Sequence, residues 1–573
     1  MKPQKDISSD IPPDISTGIR PETPPALAMG QQGLEPSENS GFEPLRIPLF
    51  RDRFIAATVS NVGSWMQDTA GTWLMTALTT SPLLIALMQT AASLPVVVLG
   101  LLAGATADII DRRRLLIFWQ AWMLTAVAVL SVLTFSGIIG PWWLLSLTFM
   151  LNIGTAMNNP AWQAIVPELV PREMLTDAIT LNSVSNNVAR ALGPALGGLM
   201  VGAFVLAYRG AGSVFLLNSL SFVGVIFVLY RWKRIPLFKS ALPAERLVGS
   251  MRSGLRYIRH APVLRASLMR AFLFTFFVSA VWALLAVVAK RDLHQGAMGY
   301  GILNGSLGLG ALIGASLLAR IRKRASADWM ITASTGVFIA TLAVMAFVHI
   351  PAVVIPSLMC AGFAWTTTMS TLNVSVQLSV PTWVQARALG AYQMTFQLGM
   401  ASGSVLWGYI AEHASTSKSL ACAGAGLLLS LPFALRMHVL RGELPDFSPY
   451  VYKRPPPALS WESDPDDGPV RVSVMYKVRV EDYNAFSKAI HKLGSVRLRD
   501  GALRWAIFRD VVDPTRLNET FVVESWMDYL RQRERFTASD HAIRDAAWKY
   551  HQGPGLPEVS HMIYAHEMNQ PKE

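Results

Sequence analysis

The chain has 573 residues, 52% of them hydrophobic and only 15% charged, where a soluble domain carries about 25% charged residues. Its net charge of +12 is spread over short stretches between long apolar runs, which excludes nucleic acid as the partner and makes a lipid bilayer the expected one. Two cysteines, Cys360 and Cys422, make neither a disulfide framework nor a metal site, no cofactor is implied, and the lack of a G-x-x-x-x-G-K-S/T loop argues against an ATP-driven pump.

Residues 1–45 are polar and Pro-rich, and read as a disordered cytoplasmic tail without a signal peptide. Twelve spans are then expected, at 54–79, 83–106, 115–136, 142–164, 177–206, 212–231, 266–290, 298–319, 329–350, 352–380, 389–412 and 418–438. Each is close to the ~20 residues that a helix needs to cross hydrocarbon, and the first, fifth and tenth are the most polar. Arg112–Arg114, Arg172, the cluster at 320–324 and Arg387 fall on one side with the basic link 232–265. The opposite loops, such as 80–82 and 137–141, are nearly uncharged, so both termini are expected in the cytoplasm.

The link divides the membrane part into an N-terminal six-helix bundle, 46–231, and a C-terminal one, 266–440. Val166-Pro167…Arg172 and Val380-Pro381…Arg387 stand at corresponding places in the two. Two related bundles with a site between them is the plan of a secondary transporter. A Pro-rich, acidic linker follows at 441–469. Residues 470–573 then alternate as a soluble domain does, with strands at 471–480, 504–512, 519–526 and 560–565, a helix at 481–493 and a helix, whole or broken, at 527–552. That order suits a ferredoxin-like α+β sandwich.

Ionisable residues inside spans are costly and face polar cavities. Asp68 in the first span is the proton-carrier candidate, and Arg190 in the fifth is its candidate partner. Arg270, near the start of the seventh, is expected to snorkel to the cytoplasmic face.

The loop Gly104-Ala-Thr-Ala-Asp108-Ile-Ile-Asp-Arg112-Arg113-Arg114 resembles the signature after the second helix of the major facilitator superfamily. Gly104, Asp108, Arg112 and Arg113 match it, while Asp111 replaces the usual glycine. The resemblance covers residues 46–440 and is nearest to the bacterial subgroup that includes the enterobactin exporter. It implies an all-α membrane protein, a major facilitator fold of twelve transmembrane helices in two six-helix bundles, followed by the small α+β domain. It also implies a gate at the four matching residues.

The run Arg190-Ala-Leu-Gly193-Pro194-Ala-Leu-Gly197-Gly198 is similar to the exporter element of antiporting members, with Ala189 in place of its first glycine. Close-packing glycines and a mid-helix proline suit a tight crossing, for which Gly310 and Gly314 of the eighth span are the expected partners. The arginine that many drug–proton antiporters carry in the fourth helix is missing here.

In this superfamily the first, fourth, seventh and tenth helices line the cavity. Carried over, the lining includes Asn61, Gln67, Asn158, Asn159, Trp282, Trp365, Asn373 and Gln377. Amides and rings together suit a small amphipathic substrate. The expectation is therefore a bacterial inner-membrane exporter of a siderophore, antibiotic or other metabolite, working by proton antiport and not as an enzyme. An uptake permease of the same fold is one alternative.

The C-terminal domain resembles antibiotic-biosynthesis monooxygenase-like dimeric barrels. A membrane-anchored enzyme is thus the other alternative, and self-association through this domain is a further expectation. Its candidate residues are Arg499, Asp500, Trp505, Trp526, Arg533, Arg535 and His541. The arginines are expected on a solvated face.

Overall fold

The computed structural model describes residues 42–171, 174–232, 247–439, 446–448 and 467–564. The expected N-terminal tail as far as residue 41 and most of the linker before the last domain lie outside these residues, as do Arg172 and 233–246 of the basic link.

Among the described residues, twelve long helices stand where twelve spans were expected. The first six are α1 (Pro48–Leu78), α2 (Pro82–Ile109), α3 (Arg112–Phe135), α4 (Pro141–Ala164), α6 (Leu175–Gly202) and α7 (Ala207–Arg231). The other six are α9 (Pro262–Val287), α10 (Ala297–Arg322), α11 (Ala327–Phe347), α12 (Pro351–Leu378), α13 (Thr382–His413) and α14 (Thr416–Arg436). A short α5 (Val166–Leu169) follows α4, and α8 (Leu247–His260) lies within the basic link.

Local chemistry sets many of the ends. Proline opens α1, α2, α4, α9 and α12, where a missing N–H costs nothing. Side-chain oxygens of Ser81, Asp111, Ser326 and Ser415 accept the free amides of α2, α3, α11 and α14.

Eight of these helices are apolar and long enough to cross a membrane. The remaining four, α1, α4, α6 and α13, are just as long but carry more polar residues. Large apolar side chains such as Val132, Leu220, Phe227 and Leu429 stand exposed around the bundle, a surface that only lipid makes stable. The chain is a multi-pass membrane protein.

Helices α1–α7 pack as one half and α9–α14 as the other. The halves meet mainly where α2 packs on α13 and α6 on α10. Exchanging the halves turns one of these contacts into the other, since second and eleventh spans map onto eighth and fifth. Hydrogen bonds between the halves gather at the end away from the basic loops. There Lys290 and Arg291 donate to the carbonyls of Thr76 and Thr80. Ser81 donates to Glu412 at 2.8 Å, and Thr90 to the Ala401 carbonyl at 3.1 Å.

Arg270 departs from the snorkelling expectation. It is 3% exposed and ion-paired with Asp328 of α11. That carboxylate also accepts the Val439 amide at 3.3 Å. Arg270→Ala leaves Asp328, a quarter exposed and still 3.4 Å from His438, without its main partner, so it is expected to cost about 1–3 kcal/mol. The readout is the unfolding midpoint in detergent, and an unchanged midpoint would deny the pair its structural role.

The last domain is built from β1 (Val470–Lys477), α15 (Tyr483–Asp500), β2 (Arg504–Arg509), β3 (Arg516–Val523), α16 (Trp526–Glu534), α17 (Ala538–Trp548) and β4 (Glu558–Ile563). Its antiparallel sheet has the order β2-β3-β1-β4. Alternation in β1 buries Val470, Val472, Val474 and Tyr476, the period-two pattern of a half-covered sheet. The break allowed for in the helix at 527–552 is present, because Thr537 caps α17 in a reciprocal bond with Asp540.

Candidate transport cavity and the docked C-terminal domain

A cavity of roughly 240 Å³ lies between the halves. Helix α1 supplies Trp65, Asp68 and Thr72, residues three and four apart that share one face. Arg190 of α6 enters from the same half, and Trp282, Trp365 and Phe396 form an apolar wall from the other. Trp282 and Trp365 are 4.5 Å apart between ring centres, and Trp365 and Phe396 5.7 Å. Tyr300 and Asn304 of α10 complete the lining. Tyr300 stacks on Trp73 at 5.7 Å, and Asn304 donates to Thr69 at 3.3 Å.

Asp68 opens onto the cavity inside the bundle and has no hydrogen bond or ion pair to any described residue. Arg190 is not paired with it, contrary to the expected ion pair. The guanidinium instead lies 5.3 Å from the Trp65 ring centre, and its Nε is buried with no acceptor.

Of the eight expected lining residues, Gln67, Trp282 and Trp365 line the cavity, and Gln67 is held by the Asn218 amide at 2.6 Å. The others lie elsewhere. Asn61 bonds to Asn186 at 2.9 Å, Asn158 accepts from Gln120 at 3.5 Å, and Gln377 donates to Asn373 at 2.6 Å. Asn159 is exposed away from the lining. Trp65 and Thr72 were missed, although helical spacing from Asp68 marks them. Phe396, Tyr300 and Asn304 come from α13 and α10, helices outside the four assumed to line the cavity.

The glycines of α6 do make a close crossing, with partners other than those expected. A Cβ on Gly198 would come 2.6 Å from the Gly301 Cα, and one on Gly197 2.7 Å from the Met66 carbonyl. Gly193 packs on Trp65 of α1, and Pro194 lies within the helix, its carbonyl beside Gly301. Gly310 and Gly314 face Met359 and Phe363 of α12 instead.

In the expected gate, Gly104 lies in α2, whereas the Asp108 side chain is outside the described residues. Arg112 donates to the Ala164 carbonyl at 3.2 Å and Arg113 to the Leu229 carbonyl at 3.0 Å. Both bonds satisfy helix C-termini within the N-terminal half.

The C-terminal domain rests on the basic end of the other half; its candidate residues Arg499 and Arg535 are not on a solvated face, while Arg533 is half-buried. Arg499 binds Asp500 and Asp540, each at 2.7 Å. It also lies 5.4 Å from the Tyr257 ring centre of α8. Arg535 stacks over Trp383 of α13 at 4.3 Å, and Arg256 donates to the Gly501 carbonyl. Trp505 donates to buried Glu519 at 3.1 Å, Trp526 is core, and His541 pairs with Asp545 at 2.9 Å.

Burial pushes the Asp500 carboxyl up from 3.8 to about 6, against the pull of Arg499 and Arg535 and with the push of Asp540. A carboxyl raised in the folded state contributes stability that is complete below its unfolded value and lost as pH rises through the folded one. Protection of α15 from hydrogen exchange, corrected for intrinsic rates, should therefore rise from pH 7 to pH 5 and stay level in Asp500→Asn. A rise of equal size in the variant would assign the effect to another group.

The family model described as transmembrane secretion effector matches residues 39–570. The chain belongs to this family of major facilitator transporters. Macrolide efflux protein A of Streptococcus pyogenes is 24% identical over 283 residues, 48% of this chain and 67% of that protein. The enterobactin exporter EntS of Citrobacter koseri is 24% identical over 319 residues, 55% of this chain and 70% of its own length. A crystal structure of a mutant of the nucleoside transporter NupG superposes with a TM-score of 0.58 at 12% identity, over 68% of this chain and 99% of that one. The secretion effector fold is therefore that of a secondary transporter, and the chain is a transporter rather than an enzyme.

Proposed function

We propose that this secretion effector exports a small amphipathic, ring-bearing metabolite in exchange for protons, by alternating access. The observation that carries the reading is the cavity between the halves, where Asp68, unpaired among the described residues, faces a wall of indole and phenyl rings. A carboxyl without a protein partner at membrane depth is suited to take and release a proton. Efflux by a macrolide relative and export of a siderophore by another support the outward direction, as does the glycine-rich crossing of α6.

The basic loops support a bacterial inner membrane with both termini in the cytoplasm. The halves are then bonded on the outer side, and the cavity awaits substrate from within. Pairing of two chains would use the sheet face that the helices leave bare, where Phe508 and Met562 are exposed.

Everted vesicles with an internal pH dye test the exchange. Adding the small-molecule fraction of producing cells is expected to discharge the proton gradient only when the protein is present. Equal discharge in empty vesicles would remove the support for antiport.

A further inference from the structure

Two charges of opposite sign enter one cavity without meeting. Bringing either into the membrane is expensive unless something pairs with it. Yet Asp68 has no partner among the described residues, and Arg190 has only the face of Trp65, with a buried Nε left unsatisfied. Loose packing does not account for this. The Arg190 backbone is pinned where α6 crosses α10, since a Cβ on Gly308 would come 2.6 Å from the Ala191 Cα. Asp68 is fixed by α1, one turn beyond Trp65 on the same face. The indole and phenyl wall of Trp282, Trp365 and Phe396 lines the same space.

While Asp68 is ionised, a neutral ligand leaves both charges uncompensated, and a ligand with one charge leaves the other. We propose that the transported molecule is amphoteric: a ring-bearing compound whose ammonium-type group binds Asp68 and whose carboxylate-type group binds Arg190. The proposal rests on the transport reading above and names its substrate class.

It also explains how exchange is enforced. The cationic group and the proton compete for the Asp68 carboxylate, so arrival of one releases the other. Both groups leave together on the released molecule, and the freed Asp68 carboxylate then takes the incoming proton. Because a zwitterion has no net charge, each molecule exported moves one positive charge inward. Membrane voltage then drives the cycle together with the pH gradient.

Three related probes separate the charges. They are ciprofloxacin (zwitterionic), its methyl ester (cationic only) and its N-acetyl derivative (anionic only), titrated calorimetrically into the full chain in lipid nanodiscs. The zwitterion is expected to bind about tenfold or more tightly than either relative, the worth of a charge-assisted contact. Arg190→Gln should erase its advantage over the ester, and Asp68→Asn its advantage over the acetyl form. Arg190→Lys, which keeps the charge, should retain most of it.

Equal binding of the three, tightest binding by a singly charged relative, or binding by none overturns the amphoteric class. Proton-driven transport of the ester in proteoliposomes, with no preference for the zwitterion, would keep the exporter reading and sink only this inference.

Discussion

Asp68→Asn is expected to abolish proton-driven accumulation while leaving the protein folded. Asparagine keeps the size and shape of the side chain but cannot carry a proton. Because Asp68 makes no hydrogen bond or ion pair to a described residue, the substitution breaks no contact and removes a costly charge from the membrane. The unfolding midpoint should hold or rise.

In proteoliposomes, one pH unit supports about tenfold accumulation per exchanged proton, and the variant should show none. Exchange of labelled for unlabelled substrate across the membrane, which needs no proton, should persist once substrate is raised about tenfold to offset the weaker binding. Retention of gradient-driven accumulation would move the coupling away from Asp68.

Gly198→Val should change which side of the membrane the cavity faces. A Cβ at this position meets only backbone, 2.6 Å from the Gly301 Cα and 2.7 Å from the Ala297 carbonyl, so no side chain can yield. Overpacking of this kind costs about 1–3 kcal/mol. That cost falls on the conformation in which α6 and α10 touch at the end away from the basic loops. Each 1.4 kcal/mol is about a tenfold change in population.

The variant should therefore favour the state open at that end. Its readout is a Thr72→Cys probe in the cavity, labelled by an impermeant maleimide from outside, after removal of the exposed Cys360 and Cys422. Labelling should quicken about tenfold, and transport should fall because the cavity no longer closes outward. Unchanged labelling would mean that the α6–α10 crossing does not hold the cavity shut.

Much of the fold was legible because it rests on strong local signals. Runs of apolar residues mark spans whichever face they present, and arginines between them mark one side. The weak signals are informative in physical terms. Helices α1, α4, α6 and α13 are less apolar in keeping with the polar side chains they give to the cavity, Asp68, Thr148, Arg190 and Gln397. Composition could point to the cavity without showing which face of a helix enters it. Asn61, Asn158, Asn373 and Gln377 thus looked like lining residues, yet each is satisfied by another amide.

Long-range partners were out of reach for the same reason. Asp328 lies 58 residues from Arg270, and nothing local announces the pair. Trp383 and Tyr257 each read as an ordinary residue, and Arg499 as a solvated one, until the last domain is placed on α8 and α13. Asp111, read as a departure from the loop signature, turned out to cap α3 by accepting the Arg114 amide at 3.0 Å.

Export itself is tested most directly by comparing the small molecules in medium and cytosol of cells with and without this protein, grown with and without iron. Export predicts a compound that disappears from the medium and builds up inside cells lacking the protein; if this happens only in iron starvation, the compound is a siderophore. A compound that is depleted from the medium only when the protein is present would contradict export and make the chain an uptake permease.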